Sequence, residues 1–218
     1  MPLSGRALLF DLDGVLVDSA AAIETRWRQW AEHHDIPFEE VEAVYHGRPA
    51  AEVIREVAPH LDVEAATRHM TDATTAGGDR LRAFDGAAAL LDSLPEEQWT
   101  IATSGRRRTA TRRLSHVGLP RPDTLVTADD VEHGKPDPEP YVLAAEQLGV
   151  APADCVVFED APAGVEAGRR AGARVVGVAT GSPPEALAAA DLVVPAIEAV
   201  DVKRGDDGRL HVRPKPER

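Results

Sequence analysis

Two aspartates stand two residues apart in Phe10-Asp11-Leu12-Asp13-Gly14, directly after an apolar run. In an extended segment that spacing turns both side chains to one side, and Gly14 lets the backbone bend sharply or approach a ligand. Such a pair can divide labour: one carboxylate attacks an electrophilic centre such as phosphorus, while the other protonates the departing oxygen and later takes a proton from water. Acid recurs after other apolar runs, as Asp129-Asp130 behind residues 124–127 and as Glu159-Asp160 behind residues 155–158. Carboxylates converging on one edge repel one another unless a cation sits among them. Hard oxygen donors of this kind suit Mg²⁺, which commonly keeps waters and takes one or two carboxylates plus a phosphate. Lys135 lies in His133-Gly134-Lys135-Pro136-Asp137-Pro138, confined between a glycine and a proline. Its ammonium can hold a phosphoryl group or the attacking carboxylate; its loop position alone favours an ordinary solvated lysine. Ser104 and the N–H of Gly105 open a helix, a place suited to anionic oxygens.

These residues need a frame that brings strand ends together. Short apolar runs at 7–10, 99–103, 124–127, 155–158, 174–178 and 191–194 read as buried strands, and the stretches 85–94, 106–117, 138–148, 162–171 and 183–190 read as helices, several opening on proline as a first-turn residue. Alternation of this kind predicts a parallel α/β sheet covered by helices on both faces, with ligands gathering at the carboxyl ends of the strands. The interval 17–83 breaks the pattern: it has no strand-like run, and helices are expected at 21–32, 50–57 and 63–74. It reads as an all-helical insertion after the first strand, with Trp27 and Trp30 in its core. The expected organisation is a core of residues 1–16 and 84–218 with a helical unit of residues 17–83. The tail from 200 to 218 holds two alternating runs around Gly205-Asp206-Asp207-Gly208, the pattern of a hairpin or of a frayed end.

Composition narrows the partners. The chain has 218 residues, enough for a real core, and carries 24 Lys+Arg against 37 Asp+Glu, a net charge of -13. That excess argues against a general grip on nucleic acid or an anionic membrane, and a phosphate-binding site must draw its positive charge from local groups. Only three of the cations are lysines, Lys135, Lys203 and Lys215. The single cysteine, Cys155, forms no internal disulfide, and the N-terminus offers neither a leader nor a span, so a cytoplasmic protein and by default a monomer are expected. The arginines at 106–108, 112 and 113 crowd one helix without interleaved aromatics and read as a solvated face paired with surplus acids. The histidines lack zinc-site spacing, and no G-x-G-x-x-G occurs.

The run Phe10-Asp11-Leu12-Asp13-Gly14-Val15-Leu16-Val17-Asp18-Ser19, then Thr103-Ser104-Gly105, Gly134-Lys135-Pro136-Asp137-Pro138 and Glu159-Asp160-Ala161-Pro162-Ala163-Gly164, resembles in order the four motifs of the haloacid dehalogenase superfamily. The phosphatase branch is indicated. The insertion looks like the small cap of the beta-phosphoglucomutase-like subgroup, and Tyr45-His46-Gly47-Arg48 looks most like sugar phosphatases and glycerol-3-phosphatases. The resemblance implies a Rossmann-like core and an Mg²⁺-dependent hydrolysis of a small phosphomonoester, with no nucleic acid or membrane as partner. It makes Asp11 the nucleophile, Asp13 the general acid and base, and Asp11, the Asp13 carbonyl and Asp160 the Mg²⁺ ligands, with Glu159 a direct or outer ligand. Ser104, Gly105 and Lys135 would bind phosphoryl oxygens; in the cap, Arg48 could contact the substrate or stand exposed without a partner, and His46 could do the same or pack within the cap. This reading displaces the solvated one for Lys135. Val15 stands where many relatives have Thr, a turn position. The rivals are a phosphomutase using the same residues, a metal-free dehalogenase, which the surplus carboxylates disfavour, and a non-catalytic binding protein.

Overall fold

The computed structural model describes residues 2–72 and 81–216. In chain order, β1 (Leu3–Gly5), β2 (Ala7–Phe10) and β3 (Val17–Asp18) precede the helices α1 (Ala20–His33), α2 (Phe38–Glu42), α3 (Ala50–Val57) and α4 (Val63–Asp72). Then come β4 (Arg82–Ala83), α5 (Ala87–Asp92), β5 (Trp99–Ala102), α6 (Arg107–Val117), β6 (Leu125–Val126), α7 (Glu139–Gln147), β7 (Cys155–Glu159), α8 (Pro162–Arg170), β8 (Arg174–Val178), β9 (Leu192–Val194), β10 (Val200–Arg204) and β11 (Leu210–Pro214).

The main sheet is the expected parallel one, six strands in the order β6-β5-β2-β7-β8-β9. β2 lies between β5 and β7, so its carboxyl end, which carries Asp11, is flanked by the ends that carry Thr103-Ser104 and Glu159-Asp160. The period-2 alternation of β2 is visible in the packing: Leu8 and Phe10 face one apolar layer with α5 and α6, and Ala7 and Leu9 face the other with α7 and α8. Phe10 stacks on Phe158 of the neighbouring strand at 4.7 Å between ring centroids. Both layers exclude water from β2, so the strand that delivers Asp11 is anchored on both faces.

The stretch between β3 and β4 has its own apolar cluster, in which Trp27, Trp30, Ala31, Val41, Tyr45, Val53 and Ile54 are buried. Trp27 and Trp30, three apart on α1, meet edge to face at 5.5 Å. The expected helices are present, with α2 in addition; the end of the one expected at 63–74, Ala73-Thr74, lies outside the described residues.

Three details correct the sequence expectations. The interval 17–83 is not strand-free: β3 and β4 pair antiparallel at its two ends, Val17 with Ala83 and Asp18 with Arg82, in runs too short to show a period. The helix expected at 183–190 is only a 3₁₀ turn at Pro184–Leu187, because Asp191 already donates from its N–H to the Val175 carbonyl at 2.9 Å and the chain must straighten into β9. Of the two readings of the tail the hairpin is the one that forms, from β10 and β11, and β1, whose Leu-Ser-Gly holds no apolar run, adds to it unexpectedly as a third antiparallel strand.

The packing of α1 yields a test. Trp30 is 2 % exposed at the centre of its cluster, so Trp30→Ala is expected to destabilise the chain by about 3–5 kcal/mol. A urea midpoint unchanged from the parent would show that this cluster contributes nothing to cooperative unfolding.

Candidate active site

Past Phe10 the ladder continues for one bond, the Asp11 N–H to the Phe158 carbonyl at 2.9 Å, and then the chain curls. Gly14 sits at φ +86°, in the left-handed region that favours glycine, and a Cβ there would fall 1.9 Å from Asp160 Oδ2. A Cβ on Gly164, at the start of α8, would fall 1.9 Å from the Glu159 Cδ. Small residues therefore make room for carboxylates. Asp11, Glu159 and Asp160 each offer an oxygen, and the three oxygens lie within 4.8 Å of one another. That set of hard, closely spaced donors in a glycine-lined recess fits a divalent cation.

Lys135 is the counter-charge. It is 1 % exposed, and its ammonium reaches Asp11 Oδ1 at 2.7 Å, Glu159 Oε1 at 2.5 Å and the Ala102 carbonyl at 3.1 Å. Its three protons are thereby matched by three protein acceptors. Glu159 is committed in turn: Tyr141 Oη donates to Oε1 at 2.5 Å and the Asp160 N–H to Oε2 at 3.2 Å. Burial raises Asp11 to about 7; Lys135 opposes this, while Glu159 and Asp13 add to it. Burial and the charges of Asp11 and Glu159 likewise hold Asp160 well above the carboxylate range. Burial alone would lower Lys135, but Asp11 and Glu159 outweigh it and hold the ammonium above its ordinary value.

Asp13 faces the same cleft, with Ser19 Oγ donating to its Oδ1 at 2.6 Å and Arg113 Nη1 to its Oδ2. Arg113 corrects the sequence reading of its helix. Arg106, Arg107, Arg108 and Arg112 are exposed, but Arg113 is buried beside Ala110 and Leu114 on the inner face of α6. Asp129 and Asp130 do not join the carboxylate cluster either: Asp130 takes Arg107 Nη2 and the Thr127 N–H and hydroxyl, and Asp129 takes the Arg107 N–H.

The cleft encloses about 600 Å³ and runs from Asp11 and Asp160 under the α1–α3 segment. Of the expected residues, Asp11, Asp13, Ser104, Gly105, His46, Arg48 and Asp160 line it; Lys135 and Glu159 lie behind Asp11, outside its wall. The Gly105 N–H donates to Thr103 Oγ1 at 3.1 Å. His46 stacks on Tyr45 at 4.1 Å, and Arg48 pairs with Glu56 at 2.8 Å. Two contacts tie the segment to the sheet edge: Ser104 Oγ donates to the Gly47 carbonyl at 3.1 Å, and the Gly134 N–H to Glu52 Oε1 at 3.2 Å. Sequence reasoning missed Arg26, which lines the cleft with a fully buried Nε and no hydrogen-bond partner for it among the described residues. Burial and the nearby Arg113 lower Arg26 to about 10, against the opposing effect of Asp13.

The raised carboxylates make stability depend on pH in a definite direction. Asp11 holds its proton more tightly folded, at about 7, than unfolded, at 3.8, so its contribution to stability is greatest below the unfolded value and is lost as pH rises through that window. Added Mg²⁺ offsets the repulsion only where the carboxylates are ionised. Its increase in melting temperature is expected to be larger at pH 8 than at pH 5, measured by scanning calorimetry; equal increases at both would remove the carboxylates as its site.

Comparison with known proteins agrees with this arrangement. The sequence pattern of the haloacid dehalogenase-like hydrolases matches residues 6–172. Hexitol phosphatase A of Escherichia coli is 39 % identical over 95 % of this chain and 99 % of its own. Glycerol-1-phosphate phosphohydrolase 2 of Saccharomyces cerevisiae is 37 % identical over 83 % of this chain and 77 % of its own. A hydrolase from Pseudomonas syringae superimposes with a TM-score of 0.80 at 29 % identity, covering 88 % of this chain and 94 % of its own. With the matched pattern running from β2 through α8 and taking in the curled loop and the carboxylate recess, the chain belongs to the haloacid dehalogenase-like hydrolases.

Proposed function

We propose that this hydrolase removes the phosphoryl group from a small sugar or polyol phosphate through an aspartyl-phosphate on Asp11. The observation that carries the reading is a carboxylate, Asp11, held by a buried ammonium at one end of a cleft, with a second carboxylate, Asp13, facing the same space. Lys135 occupies Oδ1 of Asp11, which leaves Oδ2 as the attacking oxygen. Attack forms the Oδ2–P bond and breaks the bond from phosphorus to the ester oxygen. Asp13 gives its proton to the leaving oxygen, then takes one from the water that splits the acyl phosphate, so Asp11 is restored and inorganic phosphate leaves.

Asp11, the Asp13 carbonyl and Asp160 would hold Mg²⁺, and Glu159, whose oxygens already serve Tyr141, Lys135 and the Asp160 N–H, stands outside them. When bound, the ion supplies positive charge against the repulsion between Asp11 and a phosphate dianion. Lys135 orients Asp11 and offsets part of its charge from behind. Ser104 and Gly105 lie where phosphoryl oxygens would bind, each after giving up a present partner, the Gly47 carbonyl and Thr103 Oγ1 respectively.

Residues 17–83 act in this reading as a cap over a core of residues 1–16 and 84–218, presenting His46 and Arg48 to the substrate. Their separate apolar cluster and the paired strands at their ends support that division. Hydrolysis is preferred to phosphoryl return because relatives along most of the chain bear phosphatase and phosphohydrolase names. No helix among the described residues is long and apolar enough to cross a membrane. A cytoplasmic setting and a monomer complete the reading, the first supported by Cys155, which is free and buried.

Asp11→Asn keeps an acceptor for Lys135 but removes the attacking charge. Turnover of hexitol and glycerol phosphates with Mg²⁺, followed as phosphate release, is expected to fall by roughly three orders of magnitude or more, with the melting curve still cooperative. A folded variant with parent activity would end the nucleophilic role.

A further inference from the structure

The cleft has two electrostatic poles, and only the acidic one is accounted for by the reaction. At the other, Arg26 of α1 and Arg113 of α6 flank Asp13. Arg113 is paired with it, and Arg48, elsewhere on the wall, has Glu56. Arg55 and Arg106 line the cleft too, but both are exposed to water. Arg26 is different: it lines the cleft only partly exposed, and among the described residues its guanidinium has neither an ion pair nor a hydrogen bond. A half-buried cation without an acceptor is held at a cost in lost hydration, which an anion entering the cleft would offset. A guanidinium forks onto the paired oxygens of carboxylate or phosphate.

We propose that Arg26, with Arg113 beside it, forms a subsite for a second anionic group on the substrate, a carboxylate or a second phosphoryl carried by the leaving group. This rests on the phosphatase reading above, since it is Asp13 at the ester oxygen that puts these arginines on the leaving-group side. It narrows the substrate class to sugar or polyol phosphates bearing one more oxyanion within a few carbons of the ester. Arg26 is contributed by the inserted segment and Arg113 by the core, so the anion would bridge the two and favour their apposition.

The test compares matched pairs that differ in that one group: glycerol 3-phosphate with 3-phosphoglycerate, and fructose 1-phosphate with fructose 1,6-bisphosphate. The parent is expected to favour the charged member of at least one pair in kcat/KM, and which pair responds identifies carboxylate or phosphate. Arg26→Gln should remove about ten- to a hundredfold of that preference, chiefly through KM, and Arg26→Lys should restore part of it. The same pairs are titrated calorimetrically into Asp11→Asn with and without Arg26→Gln, so that binding preference is read without turnover. Neutral members bound as tightly as charged ones, or both weakened alike by Arg26→Gln, would overturn the subsite. Absence of turnover with the charged preference intact in binding would instead overturn the phosphatase reading and leave the subsite standing.

Discussion

A single buried ammonium holds the edge of this sheet together. Three carboxylates, Asp11, Glu159 and Asp160, crowd into a largely buried recess, and among them Lys135 places one positive charge. Taking such charges out of water is costly, and the arrangement persists only because the charges are answered by hydrogen bonds as well as by one another. Tyr141 from α7, the Ala102 carbonyl from β5 and the Asp160 N–H close the network, so elements from both sides of β2 are held to one point. The geometry of Asp11 is thus inherited from the sheet. β2 delivers Asp11, β5 and β7 deliver its neighbours, and the loop before α7 delivers the lysine from the next layer.

A consequence is that charge in the cleft is sorted by depth and by side. Behind Asp11 the lysine and Glu159 are paired; in front of it Asp160 and Asp13 face the cleft; across from it the arginines of α1 and α6 supply the opposite sign. An acidic chain can in this way present a cationic surface to a phosphate-bearing molecule over a few ångströms without altering its overall charge. Tyr141 is drawn into the same logic. Burial and the nearby Glu159 hold its hydroxyl proton far above the ordinary phenol range, so it remains a donor to Glu159.

Much of this was legible in the residues. The six apolar runs became the six strands of the main sheet, and the motifs after them placed Asp11, Asp13, Ser104 and Asp160 around one cleft, because a parallel sheet brings the carboxyl ends of its strands together. Lys135 could be located but not its depth: a loop lysine between glycine and proline says nothing about the three acceptors that enclose it. Arg113 and Arg26 escaped because polarity was read ahead of periodicity. Arg113 shares a helical face with Ala110, Leu114 and Val117, and Arg26 with Ile23, Trp27 and Trp30, so spacing alone marked both as turned inward. The Asp129-Asp130 pair erred in the other direction: an acid after a strand also suits a clasp for the next helix, as Arg107 shows. The strands that escaped, β1, β3 and β4, are two or three residues long, and none contains an apolar run.

The ladder between β3 and β4 makes the chain from residue 19 to residue 81 an excursion whose two ends touch, since Asp18 lies opposite Arg82 and Val17 opposite Ala83. Seen from the sheet, the chain leaves and re-enters at nearly one place. Residues can be added, lost or exchanged between those strands without shifting the register of β2 against β5 and β7, because neither strand of the ladder belongs to that sheet. The carboxylate cluster at the sheet edge and the segment between the ladder strands are therefore separable units of inheritance, and one can diversify while the other stands still.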